Sequence, residues 1–249
     1  MTKWQKINLS AFVLFCLTVI SFAYFVGSDF LRKQEKPWHM QTTVHEDSLS
    51  TTYQANYQIF DRPPVIQQIN PKEQNTVLIL VDAWGVPFDE SRLESEFKIF
   101  ERQPHQFAIH KRQGNRTKHA EHVEFRKDSS EAIFIFGGDS LEYGRKEYMP
   151  TLGYREQLYR QKSPDSAMIG LLDSLLLEAR FNTIAWTTQD SRLGDENKLI
   201  SLLKNIANLA KKHPTVQFVI QGAHRPILGT PEKRREYYAH WVPVAIVNP

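Results

Sequence analysis

From residue 76 onward, short apolar runs alternate with longer stretches whose apolar positions recur at helical spacing. The runs at 76–81, 106–110, 132–136, 183–187, 216–220 and 242–247 are rich in Val, Ile, Leu, Phe and Thr and have strand length. The stretches at 91–102, 118–126, 153–161, 166–180, 197–212 and 231–238 read as helices. Parallel neighbours in a sheet need crossover connections, which helices of this length supply. The pattern therefore predicts an α/β fold, a three-layer α/β/α arrangement around a largely parallel central sheet.

The first 74 residues follow a different pattern. Lys3 and Lys6 precede an uncharged, mostly apolar run from 9 to 26. As a helix its 18 residues would extend roughly 27 Å, close to the hydrocarbon thickness of a bilayer. A cleavable signal peptide is the competing reading, because Ser21-Phe22-Ala23 places small residues where a signal peptidase reads them. Tyr24-Phe25-Val26 prolongs the apolar run and favours an uncleaved transmembrane helix. The following stretch is polar, carries Pro37, Pro63, Pro64 and Pro71, and has β-prone pieces such as 51–59. The expected organisation is a membrane anchor over 1–28, a stalk with one docked strand over 29–74, and an α/β domain over 75–249. The two lysines place the N-terminus in the cytoplasm and the domain outside it, periplasmic or extracellular, on a single-pass protein of the cytoplasmic membrane.

Composition narrows the partners. A net charge of +3 over 249 residues, without a basic stripe interleaved with aromatics, argues against nucleic acid. Cys16 is the only cysteine, so neither an intrachain disulfide nor a thiolate metal cage is available.

Asp82 carries the first chemical signal. It follows the run 76–81 directly, so a carboxylate emerges at the carboxyl end of a buried strand, where open α/β sheets form their ligand crevice. It is a candidate metal ligand or catalytic acid, and the alternative is an Asp that caps a following turn or helix. His105, His110, His119 and His122 are close in sequence but share no obvious partner and read as a solvated face. Gly137-Gly138-Asp139-Ser140 reads as a tight turn, Asp190, Asp195 and Glu196 as an acidic helix start, and Lys233-Arg234-Arg235 as a solvated helix face.

Several segments then fall in a familiar order: Asp82-Ala-Trp-Gly85; Gly114-Asn-Arg-Thr117 opening a helix with Glu121, Glu124 and Arg126; 148–154; 187–193; Gln221-Gly-Ala-His-Arg-Pro226; and 242–249. In this order they resemble the alkaline phosphatase/sulfatase superfamily, closest to its lipoteichoic-acid-synthase-like branch of membrane-anchored phosphoglycerol and phosphoethanolamine transferases. The resemblance covers about residues 75–249. It implies a phosphotransferase or hydrolase acting on a phosphodiester of an envelope lipid or glycopolymer, in reach of a partner membrane protein. It also implies a divalent metal (Mn, Zn, Mg or Ca) bound by Asp82, Thr117 and His224, with Thr117 as nucleophile and Arg126, Arg192 and Arg225 gripping the substrate.

The chain also departs from the family pattern. Counting back from Glu124-Phe125-Arg126 by the family's spacing gives Ala120 as the alternative to Thr117, and in that register there is no nucleophile. Where the family has Gly-Asp-His, this chain reads Gly222-Ala223-His224, and an alanine ligates nothing. Arg192 stands where that branch tends to have a substrate-contacting His. A degenerate relative that binds an envelope glycopolymer or partner enzyme without catalysis, or an envelope scaffold, is the alternative function.

Overall fold

The computed structural model describes residues 14–22, 48–61, 65, 75–112, 114, 116–125, 131–192 and 194–249. The chain divides into two units at Ser48/Leu49. In the first, residues 14–22 are helical, and Thr18 Oγ1 donates to the Leu14 carbonyl at 2.9 Å. Among the described residues no helix is long and apolar enough to cross a membrane, and half of the expected span 9–26 lies outside them.

The second unit is built on an eight-stranded sheet. The strands are β1 (Gln58–Phe60), β2 (Thr76–Val81), β3 (His105–Lys111), β4 (Ala132–Phe136), β5 (Glu156–Tyr159), β6 (Thr183–Thr187), β7 (Gln217–Gly222) and β8 (Trp241–Val247). Their order is β1-β3-β8-β7-β2-β6-β4-β5. β7, β2, β6, β4 and β5 run parallel, and β8 is antiparallel to both neighbours. The longer helices are α1 (Thr51–Asn56), α2 (Glu90–Phe97), α3 (Thr117–Glu124), α4 (Asp165–Glu178) and α5 (Glu196–Lys212).

All six residues of β2 are buried, and they alternate between two cores. Val77, Ile79 and Val81 face the cluster that holds Leu93 and Phe97 of α2, Leu172 of α4 and Leu203 and Ile206 of α5. Leu78 and Leu80 face a second cluster with Ala120 of α3, Phe125, Phe134 and Tyr154. Cover on both faces is what a parallel sheet requires, and it gives the three layers read from the sequence.

Three elements differ from the sequence reading. The helix expected over 153–161 is instead the edge strand β5, Glu156–Tyr159, because Gly153 at φ 102° ends a short 3₁₀ turn and aims the chain along β4. The β-prone piece 51–59 is mostly helix α1: Ser50 accepts from the Tyr53 N–H as N-cap, and only 58–60 extend, pairing parallel with β3 at the sheet edge. The helix expected over 231–238 stops at Arg234, after which Tyr237 bridges Pro87.

The closest backbone approach lies at the end of β7. A Cβ on Gly222 would stand 1.8 Å from the Trp84 carbonyl oxygen and 3.0 Å from Val242 Cβ. The Trp84 backbone on one side and the Val242 Cβ, fixed to its own strand, on the other leave nothing free to move aside. Gly222→Ala is therefore expected to destabilise the protein by about 3 kcal/mol or more, measured by urea unfolding, or to prevent folding.

Candidate active site

The parallel register aligns three strand ends. Val81 pairs with Gly222, and Leu80 pairs with both Thr187 and Gln221, so Asp82, Thr188 and the Ala223-His224 pair leave the sheet at one edge. Asp82 is held from two sides. Its N–H donates to Thr188 Oγ1 at 3.0 Å, and its carbonyl accepts from the Ser191 hydroxyl. Ala83 turns the chain away at φ 59°. Asp82 caps no helix, since Asp89 fills that role for α2.

Thr117 is the first helical residue of α3, and its N-cap, Arg116, makes no side-chain capping bond. The threonine hydroxyl points away from the helix, to the strand ends. Thr117 Oγ1 lies 3.0 Å from His224 Nε2 and 3.3 Å from Asp82 Oδ1, and His224 Nε2 lies 2.8 Å from the same Asp82 oxygen. The structure thus brings together Asp82, Thr117 and His224, all nearly buried, whereas Ala120 packs in the apolar core under the sheet. Of the two sequence registers, only the one with Thr117 meets the strand ends.

The histidine's orientation is informative. Its Nδ1 lies 2.7 Å from the Arg225 carbonyl, so Nδ1 carries the proton and donates it there. In the neutral ring Nε2 then presents a lone pair, and it faces a carboxylate oxygen at 2.8 Å. Two lone pairs repel at that distance, so a proton or a cation has to lie between them. A ligating histidine usually hands its other N–H to a carbonyl or carboxylate, as here. Donors bound to one cation at ordinary lengths also stand roughly 3 Å apart, which matches the three separations.

The residues therefore fit a cation, with one carboxylate, one imidazole and one hydroxyl. They make a spare set. Ala223 is fully buried in the second core cluster and adds no donor, and among the described residues no group of three or more His, Cys, Asp or Glu converges on a metal position.

The three arginines expected at the substrate fare differently. Arg192 Nε lies 3.2 Å from Asp82 Oδ2 and its Nη2 2.8 Å from Glu142 Oε1, which puts a partly exposed guanidinium at the mouth of the site. Arg225 directs Nη1 to the carbonyls of Arg234 and Tyr237. Arg126 lies outside the described residues.

Two carboxylates of α3 stand below Thr117 on the same helix face. Glu121 is gripped by Arg145, with Nη2 at 2.8 Å and Nε at 3.0 Å from Oε1, and accepts from Thr187 Oγ1 at 2.7 Å and from the Tyr148 hydroxyl. Glu124 is gripped by Arg112 Nη1 at 2.6 Å and accepts from Gln221 Nε2 and the Val65 N–H. His110 Nε2 lies 3.1 Å from the same carboxylate. His110 is thus fully buried, unlike the solvated reading, while His119 is exposed and His122 stacks on Tyr148. Arg112 and Arg145 had no sequence signal, because each lies on a separate segment from the carboxylate it meets. The spacing 117, 121, 124 was visible as one helix face.

The remaining acidic residues serve local structure. Asp195 caps α5, Asp139 closes a turn onto the Leu141 N–H, and Asp190 accepts from the Asp165 N–H. Asp165, absent from the sequence reading, accepts in turn from the N–H groups of Gln189 and Asp190. Burial pushes its carboxyl up to about 7, and the charges of Asp190 and Asp82 add to the rise against those backbone bonds.

No family model and no curated protein sequence matches the chain. Its fold does match solved structures. The lipoteichoic acid synthase LtaP from Listeria monocytogenes aligns with a TM-score of 0.51 at 10% identity, over 71% of this chain and 65% of that one. The phosphoglycerol transferase GacH from Streptococcus pyogenes, solved in complex with sn-glycerol-1-phosphate, gives 0.50 at 10% identity, over 70% and 68%. The chain shares the fold of these structures, an alkaline phosphatase/sulfatase-like fold. The chain spans about two thirds of the length of these structures.

The Glu124 network sets a pH dependence of stability. Burial alone would raise the Glu124 carboxyl, but the Arg112 guanidinium, with His110 and Gln221, overrides it and holds the group at about 2, below its ordinary 4.5. A depressed carboxylate stabilises the fold fully above pH 4.5 and loses that contribution as the pH falls through 2. The shift corresponds to roughly 3 kcal/mol. Glu124→Gln is expected to lose stability of that order at pH 7 and to flatten the acid limb, read from urea unfolding between pH 7 and 2.5.

Proposed function

We propose that this protein is a membrane-anchored, extracytoplasmic phosphotransferase or hydrolase acting on a phosphodiester of an envelope lipid or glycopolymer, with Thr117 as its nucleophile. The fold it shares with LtaP and GacH supports the reaction class. The apolar run 9–26 supports the anchor. The observation that carries the proposal is the convergence of Thr117 Oγ1, Asp82 Oδ1 and His224 Nε2, with the imidazole's other nitrogen committed to the Arg225 carbonyl.

Asp82, Thr117 and His224 would hold a divalent cation, Mn, Zn, Mg or Ca. Such an ion lowers the pKa of a bound hydroxyl and offsets charge on a phosphoryl group. The chain's own groups do the rest. Thr117 sits at a helix start whose first N–H groups have no side-chain cap, a setting that receives anionic oxygens. Asp82 Oδ1, 3.3 Å from the threonine hydroxyl, is placed to accept its proton as the oxygen attacks phosphorus, while the P–O bond to the leaving alcohol breaks and that alkoxide takes a proton from solvent. Arg192 faces the same position from the solvent side and can turn its guanidinium from Glu142 to a phosphate oxygen. Because the protein supplies only one carboxylate and two neutral donors, cation and phosphate bind best together, each completing the other's charge balance. By linkage, each then tightens the other by the same factor.

One observation favours a second reading, a substrate-binding relative without turnover. Ala223 occupies a buried apolar position where the resembled family has a ligating Asp.

A thermal-shift titration of the full-length protein separates the two. Mn, Zn, Mg or Ca at ten times Kd is expected to add about 1.4 kcal/mol of stability. The increase should grow in the presence of glycerol phosphate and disappear in Asp82→Ala and His224→Ala. Hydrolysis of bis(p-nitrophenyl) phosphate should vanish in Thr117→Ala. Cation binding without hydrolysis in the wild type supports the binding reading; the absence of both rejects the cation site.

A further inference from the structure

We propose that Arg112 and the Arg145–Glu121 pair are positioning residues, which tie α3 to the ends of β7 and β6 and so set Thr117 against His224 and Asp82. The inference rests on the reading of Thr117 as the reacting group.

One tie joins the helix to the strand end that carries His224, and the other to the strand end whose next residue, Thr188, seats Asp82. Arg112 uses its whole fork. Nη1 holds Glu124 Oε1 at 2.6 Å, while Nη2 and Nε hold the Gly222 carbonyl at 2.6 and 3.2 Å, two residues before His224. On the other side, Glu121 Oε1 accepts from both Nε and Nη2 of Arg145 and from Thr187 Oγ1, and the next residue, Thr188, accepts the Asp82 N–H. One arginine thus links the threonine's helix to the histidine's strand. One carboxylate links the same helix to the loop that seats the aspartate.

Geometry explains why two ties are present. Thr117, Glu121 and Glu124 are spaced i, i+4 and i+7 on one helix face, so the two anchors stand roughly 6 and 10 Å along the axis from the threonine. A single anchor would allow the helix to rotate about it. Two anchors on different strand ends fix both the rotation and the axial position of Thr117.

Stability alone does not account for the arrangement. Arg112, Glu121, Glu124 and Arg145 are each 3% exposed or less. Desolvating such pairs offsets most of their attraction, and well-packed apolar side chains generally stabilise as much. What the charged pairs add is directed geometry, since a guanidinium fork has fixed donor directions. A displacement of about 1 Å at a reacting atom can reduce turnover by as much as a hundredfold.

Two mild variants test the proposal in the full-length protein. Arg112→Lys keeps a cation beside Glu124 but lacks the fork that also reaches the Gly222 carbonyl. Thr187→Val is nearly isosteric and removes only the donor to Glu121. Each is expected to fold with a Tm within a few degrees of the wild type. On bis(p-nitrophenyl) phosphate each should lower kcat tenfold or more with KM changed less than twofold. Asp173→Ala, which breaks the Lys212 and His213 pairs between α4 and α5 on the opposite face of the sheet, should leave kcat unchanged. Unchanged kcat in both variants would overturn the proposal.

A second readout does not need catalysis. In a crystal structure of Arg112→Lys the Thr117 Oγ1 to His224 Nε2 separation, 3.0 Å in the wild type, should exceed 3.5 Å. If it stays at 3.0 Å, the positioning role is rejected. Should the wild type itself neither bind a cation nor turn over substrate, the functional reading fails, and this separation alone decides whether the ties position Thr117. If Arg112→Lys does not fold, the same measurements on Thr187→Val decide.

Discussion

A carboxylate buried without solvent has to be paired where it stands, and the pairing of Glu124 by Arg112 constrains the centre of this molecule. The guanidinium that neutralises Glu124 is itself held on the Gly222 carbonyl, at the point where β7 passes closest to the chain leaving β2. Helix α3, strand β7 and the turn after Asp82 therefore cannot shift independently. Glu121, Arg145 and Thr187 repeat the arrangement one strand-pair away. The apolar clusters on the two faces of the sheet supply the driving force for folding. They leave open the angle at which α3 faces the strand ends, and the ion pairs set it.

The charge pattern around Thr117 follows from that frame. Among the described residues Asp82 is the carboxylate in direct contact with the threonine, and it is shared between His224 on one oxygen and Arg192 on the other. Asp165, a further buried carboxyl, feels the charge of Asp82 and is raised chiefly by burial. A carboxylate shared in this way, beside an imidazole whose other nitrogen is committed to a backbone carbonyl, is suited to a cation. Alanine at 223 is buried in the apolar core and adds no donor beside His224.

Much of the fold was legible in the sequence. Six of the eight strands, including β2, and the helices α2, α3, α4 and α5 follow from apolar runs and helical spacing, because each buries a face long enough to leave a pattern. The misread segments are short and lie at edges. β5 has four half-exposed or exposed residues and gains its conformation only by pairing with β4. β1 has three residues and depends in the same way on β3. Neither carries an alternation strong enough to outweigh its helix-tolerant composition.

The sequence by itself determined the chemistry on offer: a carboxylate at the end of a buried strand, a threonine opening a helix, a histidine after the penultimate strand, and an alanine in place of a ligand. It also determined that Thr117, Glu121 and Glu124 share one helix face, since that follows from periodicity alone. Tertiary structure decided which of two helix registers meets the strand ends. It also decided that Arg192 reaches Asp82 while Arg225 turns to the carbonyls of Arg234 and Tyr237, and that Arg112 and Arg145 neutralise the helix carboxylates. These are contacts between segments far apart in the chain. Their geometry is set by strand register and by the need to pair every buried charge, neither of which leaves a local trace in the sequence.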